Sequence, residues 1–190
     1  MERSGGYLHN GLGLLDTEVL ERSLHLHQEQ ALRSACQDNE NLVVATGTGS
    51  GKTETFLFPL ANLLLNDSQP DAPGVRVILI YPMNALANDQ LYFRIAPLLG
   101  ITLRKYGITF GRYTGQTKKD SRRTDACGEL LANSKIAEIF EDTGIPENWL
   151  LTREEMLANP PKVLVTNYAM LEHLLLLPAN AALFLSLIHI

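Results

Sequence analysis

Short, densely apolar runs alternate with longer stretches of helical period along most of this chain of 190 residues. Residues 42–45, 75–81, 108–113 and 162–166 are rich in Val, Ile, Leu and aromatic side chains with little polar interruption, the pattern of strands covered on both faces. Between the first two lies a helix expected over 52–65, apolar nearly all round and therefore deeply packed, with Pro59 expected to kink it. A second helix is expected over 84–99: Leu91, Ile95, Leu98 and Leu99 share one stripe, and Asn88, Asp89 and Arg94 lie off it. Strand and helix in alternation predict an α/β fold built on a parallel sheet flanked by helices.

The pattern weakens over 116–161. A basic stretch (Lys118, Lys119, Arg122, Arg123) precedes a helix expected around 130–141. Thr152 and Glu155 then have the spacing of a capping box for a short helix. This segment reads as an insertion on the edge of the domain, and its basic stretch as a solvated face. Residues 174–190 are almost wholly apolar, close to the roughly 18 that a membrane span requires. Pro178 and Asn180 divide the run, so it reads as a buried helix end followed by a buried strand.

Length and composition narrow the class. At 45% hydrophobic and 19% charged, the chain is globular rather than disordered, and its length fits one domain. A net charge of −5 offers no global positive field, so any nucleic-acid contact must use local cations and backbone amides. Cys36 and Cys127 stand far apart and read as reduced thiols. The N-terminus lacks the apolar core of a signal peptide, and the expected location is the cytoplasm, with no membrane association. Oligomeric state is not legible.

One octapeptide carries the chemistry. Thr46-Gly47-Thr48-Gly49-Ser50-Gly51-Lys52-Thr53 joins the first apolar run to the helix over 52–65, the strand–turn–helix context of a phosphate-binding loop. Glycines let successive amides curl inward at an anion, and the helix N-terminus adds partial positive charge. Lys52 is placed to reach the β- and γ-phosphates, and the Thr53 hydroxyl to hold Mg²⁺. Thr46 stands where the strict pattern has its first glycine. The loop predicts binding of a nucleoside triphosphate with Mg²⁺.

Further segments occur in a fixed order: His27–Leu32 ahead of the loop, Tyr81 to Gln90 after the second strand, Tyr113-Thr114-Gly115 after the third and Val165-Thr166-Asn167-Tyr168 after the fourth. Together with the loop they resemble the first RecA-like motor domain of superfamily 2 DEAD/DEAH-type helicases, with large Lhr-like or YprA-like bacterial helicases most similar. The resemblance spans about 20–184. It implies that Gln28 reads the adenine edge, a task suited to an amide that both donates and accepts; Gln30 is the competing candidate. It implies that Pro82, Asn84, Ala85 and Gln90 form a motif holding the nucleic-acid backbone. There Pro82 stops the strand, and Asn84 caps the next helix and leaves amides free for phosphate. Thr114, Gly115, Thr166 and Asn167 would be further backbone contacts. The nucleic acid is expected to be DNA ahead of RNA.

The acidic Asp-Glu-Ala-Asp/His motif of that family is absent from these residues. The chain therefore reads as the ATP-binding part of a helicase or translocase that alone neither hydrolyses ATP nor unwinds a duplex. The expected division is an extension over 1–19, a partial RecA-like domain over 20–184 that is incomplete at its C-terminus, and a foreign or truncated tail over 185–190. Two other readings stay open on sequence: a different P-loop enzyme such as a kinase or transport ATPase, and a non-enzymatic interaction fragment.

Overall fold

A computed structural model describes residues 9, 10, 12, 24–47, 49–72, 74–119 and 121–184. Thr48, most of the expected 1–19 extension and the 185–190 tail lie outside the described residues. The chain forms two compact units, residues 1–70 and 71–190.

The first unit is a helix pair. α1 (Leu26–Cys36) and α2 (Lys52–Leu65) pack on each other. Leu57, Phe58, Leu60, Ala61 and Leu64 of α2 are buried, as are Ala31 and Leu32 of α1. α2 has the bounds that its apolar pattern predicts and continues through Pro59. The strand expected over 42–45 does not form. Those residues are irregular, and Val43 is 97% exposed. Apolar, β-branched residues make a strand only where a neighbouring strand supplies the ladder, and none of the described strands pairs with this run.

The second unit is a four-stranded parallel sheet in the order β1–β4–β2–β3, made of β1 (Val77–Tyr81), β2 (Phe110–Arg112), β3 (Trp149–Leu150) and β4 (Val163–Asn167). Val77 stands opposite Val163, and Phe110 bridges Val163 on one side and Trp149 on the other. β4 is central and buried through Thr166, as a two-sided parallel strand should be. α3 (Asn84–Gln90) and α7 (Tyr168–Leu176) pack on β1 and β4. α3 is continued by two wide π turns, Leu91–Ile95 and Leu98–Thr102, whose Leu91, Ile95 and Leu99 are buried as the stripe predicts.

Three expectations for this unit need correction. The 116–161 segment is not free of strand: Trp149 and Leu150 extend the sheet, a pairing too short to leave a periodic signal. Its helix over 130–141 is two helices, α4 (Arg123–Leu131) and α5 (Ser134–Ile139). They are broken where Asn133 accepts from the amides of Lys135 and Ile136 and so caps a new start. Among the described residues, the run after 174 is not a buried helix end followed by a strand. Leu175 and Leu176 are exposed, and through residue 184 the chain makes a 3₁₀ turn and a short α8 (Ala181–Phe184). Leu174, Leu183 and Phe184 do reach the core, beside Val75, Tyr113, Met156 and Leu164.

Candidate functional site

The phosphate loop is set by two left-handed glycines and a lysine. Gly49 has φ +76° and Gly51 φ +78°, a region that side chains enter at a cost, and Gly51 is the N-cap of α2. Helix amides therefore begin where the chain reverses, and the loop backbone can turn inward. Lys52 extends its ammonium back across the loop, donating to the Thr46 carbonyl at 2.9 Å and the Gly47 carbonyl at 2.5 Å. The Thr46 and Ser50 hydroxyls bond each other at 2.7 Å and close the ring.

Gln28 is tied to this loop. Its Nε2 donates to the Gly51 carbonyl at 3.0 Å, and its Oε1 accepts from the His25 amide at 2.9 Å, the start of α1. The side chain is buried, whereas Gln30 is exposed. His25 and His27 stack with centroids 5.6 Å apart.

In the second unit, three parallel strands end in polar turns at one edge of the sheet, where open α/β sheets place ligands. Asn84 is the first residue of α3 rather than its cap; Met83 takes the cap position without a side-chain bond. The Asn84 side chain instead accepts from Asn167 Nδ2 at 2.7 Å and so joins the ends of β1 and β4. Asn167 Oδ1 accepts from the Met170 amide at 2.8 Å and caps α7. Thr114 and Thr166 are fully buried, and Thr166 donates to the Tyr113 carbonyl at 2.7 Å. Their side chains shape the turns; Pro82, Ala85 and Gly115 are the exposed members, with Gln90 half-buried.

Residues that the sequence pattern passed over hold these turns. Arg153, at the start of α6 (Arg153–Ala158), donates from Nε to the Thr117 carbonyl and from NH2 to the Thr114 carbonyl, both at 3.0 Å, and stacks over Tyr113. Arg112 NH1 bonds Asn88 and Tyr92, and Asn88 in turn reaches Gln116 at 3.4 Å. An arginine inside an otherwise apolar strand is the signal that could have found this group. The 116–161 segment is thus a brace for the Thr114–Thr117 turn. Arg123, read as solvated, bonds the carbonyls of Pro146 and Trp149 and pairs with Glu155 at 3.0 Å.

Glu155 completes the capping box with Thr152, as the spacing predicts. Burial alone would raise its carboxyl, but the Leu151 and Thr152 amides and the Arg123 guanidinium outweigh burial and hold it below its ordinary value. Its folded pKa lies under the unfolded one, so the ionised group stabilises the corner above the ordinary carboxylate range. That contribution is lost as pH falls through the lowered value. Below about pH 4.3, the melting temperature should fall more steeply for the unaltered chain than for Glu155→Gln. Equal slopes in thermal melts would contradict this coupling.

A glycine loop opening a helix and a parallel sheet with polar strand-end turns define a P-loop, RecA-like α/β nucleotide-binding protein. The chain belongs to the DEAD/DEAH box helicase family, whose profile matches residues 25–132. It is similar to Druantia protein DruE of Escherichia coli (35% identity over 83% of this chain and 12% of that protein). It is also similar to ATP-dependent RNA helicase DBP7 of Meyerozyma guilliermondii (33%, 60% and 16%). A further relative is the Lhr helicase/probable uracil glycosylase of Mycolicibacterium smegmatis (28%, 70% and 7%). The chain thus spans less than a fifth of the length of these relatives. No solved structure matches it. Among the described residues, no helix is long and apolar enough to cross a membrane.

Proposed function

We propose that this chain is the ATP-binding part of an ATP-dependent nucleic-acid helicase or translocase working in the cytoplasm, with residues 20–184 as its RecA-like domain. The observation that carries the reading is the loop itself: left-handed Gly49 and Gly51 opening α2, with the Lys52 ammonium folded over the cradle. Lys52 now satisfies its charge on two loop carbonyls, and a polyphosphate entering the cradle replaces those carbonyls with stronger, charged acceptors. The residues fit the ligand. Thr46, Gly47 and Thr48 through Thr53 supply the amides, Lys52 the cation, and Thr53 the hydroxyl for Mg²⁺. Mg²⁺ held by Thr53 would supply positive charge to offset that of the phosphates. Gln28 is assigned to the adenine edge, exchanging a bond that it now makes within the first unit.

Membership of the family sets aside the kinase and transport-ATPase readings. The strand-end turns at Pro82–Ala85, Thr114–Gly115 and Thr166–Asn167 are assigned to a nucleic-acid backbone. With few cations at those turns, contact runs through amides and short polar groups. The names of the relatives give no support to DNA over RNA, since the Meyerozyma protein is called an RNA helicase. No described strand end carries an Asp-Glu pair, so the chain itself should bind ATP without turning it over.

Fluorescence titration of single-stranded DNA and RNA tests the assignment. Binding of either is expected, weakened about fivefold by Asn167→Ala, which frees the β1 and β4 turns from each other. No binding of any strand, or ATP turnover stimulated by one, would overturn the corresponding half of the proposal.

A further inference from the structure

We propose that the cavity between α4 and the β2–β3 edge of the sheet receives one pyrimidine base of a bound single strand. The inference rests on the reading of the strand-end turns as a nucleic-acid interface and adds to it a pocket that selects a base.

Four observations support it. The cavity measures about 160 Å³, and cavities near 150 Å³ hold one six-membered ring. Apolar and aromatic side chains make up about half of its lining. Ala126 and Leu130 of α4 face Trp149 and Tyr92, whose rings lie 6.0 Å apart at 46°. Trp149 is buried behind this surface, and the half-buried Tyr92 and Leu130 offer the apolar surface on which the flat face of a base can pack. The rim, by contrast, carries an amide and a guanidinium, Gln116 and Arg112. Gln116 both donates and accepts, as the edge of a pyrimidine does, and Arg112 is held in place by NH1 on Tyr92 at 2.9 Å.

Position is the third observation. Gln116 belongs to the same turn as Thr114 and Gly115, its main-chain N–H donating to Thr114 Oγ1 at 3.3 Å. Asn88 of α3 joins it to Arg112. A backbone lying on that turn therefore has the cavity mouth directly beside it. Charge is the fourth. The other two ionic groups at the rim, Lys118 and Glu129, pair with each other at 3.0 Å and cancel. An uncharged flat ring suits such a site better than a phosphate, which would have only Arg112 as counter-charge.

The test compares an oligothymidylate of about twelve nucleotides with an abasic sugar–phosphate strand of equal length. The unaltered chain should bind the oligothymidylate roughly tenfold more tightly, about the effect of one base stack. Ala126→Phe, which fills the cavity, should abolish that difference and leave the affinity for the abasic strand as it was. Because a phenylalanine at a buried position can disturb folding, Gln116→Ala on the exposed turn is the second variant; it should shrink the preference several-fold. Equal binding of the two strands by the unaltered chain overturns the pocket while leaving the interface standing. So does a full preference retained by both variants. Binding of neither strand overturns interface and pocket together.

Discussion

Gly51→Ala should abolish useful ATP binding and destabilise the first unit by about 2–4 kcal/mol. Residue 51 sits at φ +78°, where a side chain costs about 1–2 kcal/mol. The space is also taken: a Cβ there would lie 2.3 Å from Gln28 Nε2 and 3.2 Å from Glu54 Oε2. Gln28 would have to withdraw, severing its 3.0 Å bond to the Gly51 carbonyl and disturbing the one that it accepts from His25. Each such bond contributes about 1 kcal/mol. Loop amides that no longer converge lose the phosphate, so affinity should fall at least about 100-fold, by the loss of one or two charge-assisted bonds.

A double-mutant cycle separates the two causes. Gln28→Ala removes the clash but not the strained φ, so the pair of substitutions should destabilise less than the sum of the singles, by about 1 kcal/mol. Denaturant midpoints for the four proteins give the answer. Strict additivity would show that the Gly51–Gln28 contact carries no coupling.

The parts legible in the sequence are those fixed by local chemistry. Gly-Lys-Thr after a glycine-rich turn marks the start of α2, and a continuous apolar run to Leu65 marks its end. Thr152 and Glu155 announce α6 because a capping box needs only four residues. Three of the four expected strands stand within two residues of the apolar runs that predict them.

What sequence did not show depends on partners distant in the chain. Residues 42–45 have the composition of a strand, yet a ladder comes from another segment, and none of the described strands supplies it. β3 is visible only through its register with Phe110 and Gly111. Asn84 has the chemistry of a cap, but Asn167, 83 positions later, competes for its carbonyl oxygen and wins. Arg153 lies 39 positions from Thr114 and shapes that turn through two carbonyls, a role that no spacing rule announces. The candidate nucleotide site was thus readable because it is one contiguous loop. The candidate nucleic-acid face was readable only in outline, since its turns are joined by side chains from four separate segments.

Lys52 offers the most direct measurement of the central claim, that the loop grips the triphosphate of ATP. Its ammonium rests on the carbonyls of Thr46 and Gly47, and on the proposed reading it would transfer to the β- and γ-phosphates of an entering nucleotide. Charge-assisted bonds of this kind contribute about 1.5–3 kcal/mol. Calorimetric titration of ATP in Mg²⁺ buffer, with folding verified by circular dichroism, should therefore show Lys52→Ala binding about 10- to 100-fold more weakly than the unaltered chain. Equal affinity in the two folded proteins would contradict the account.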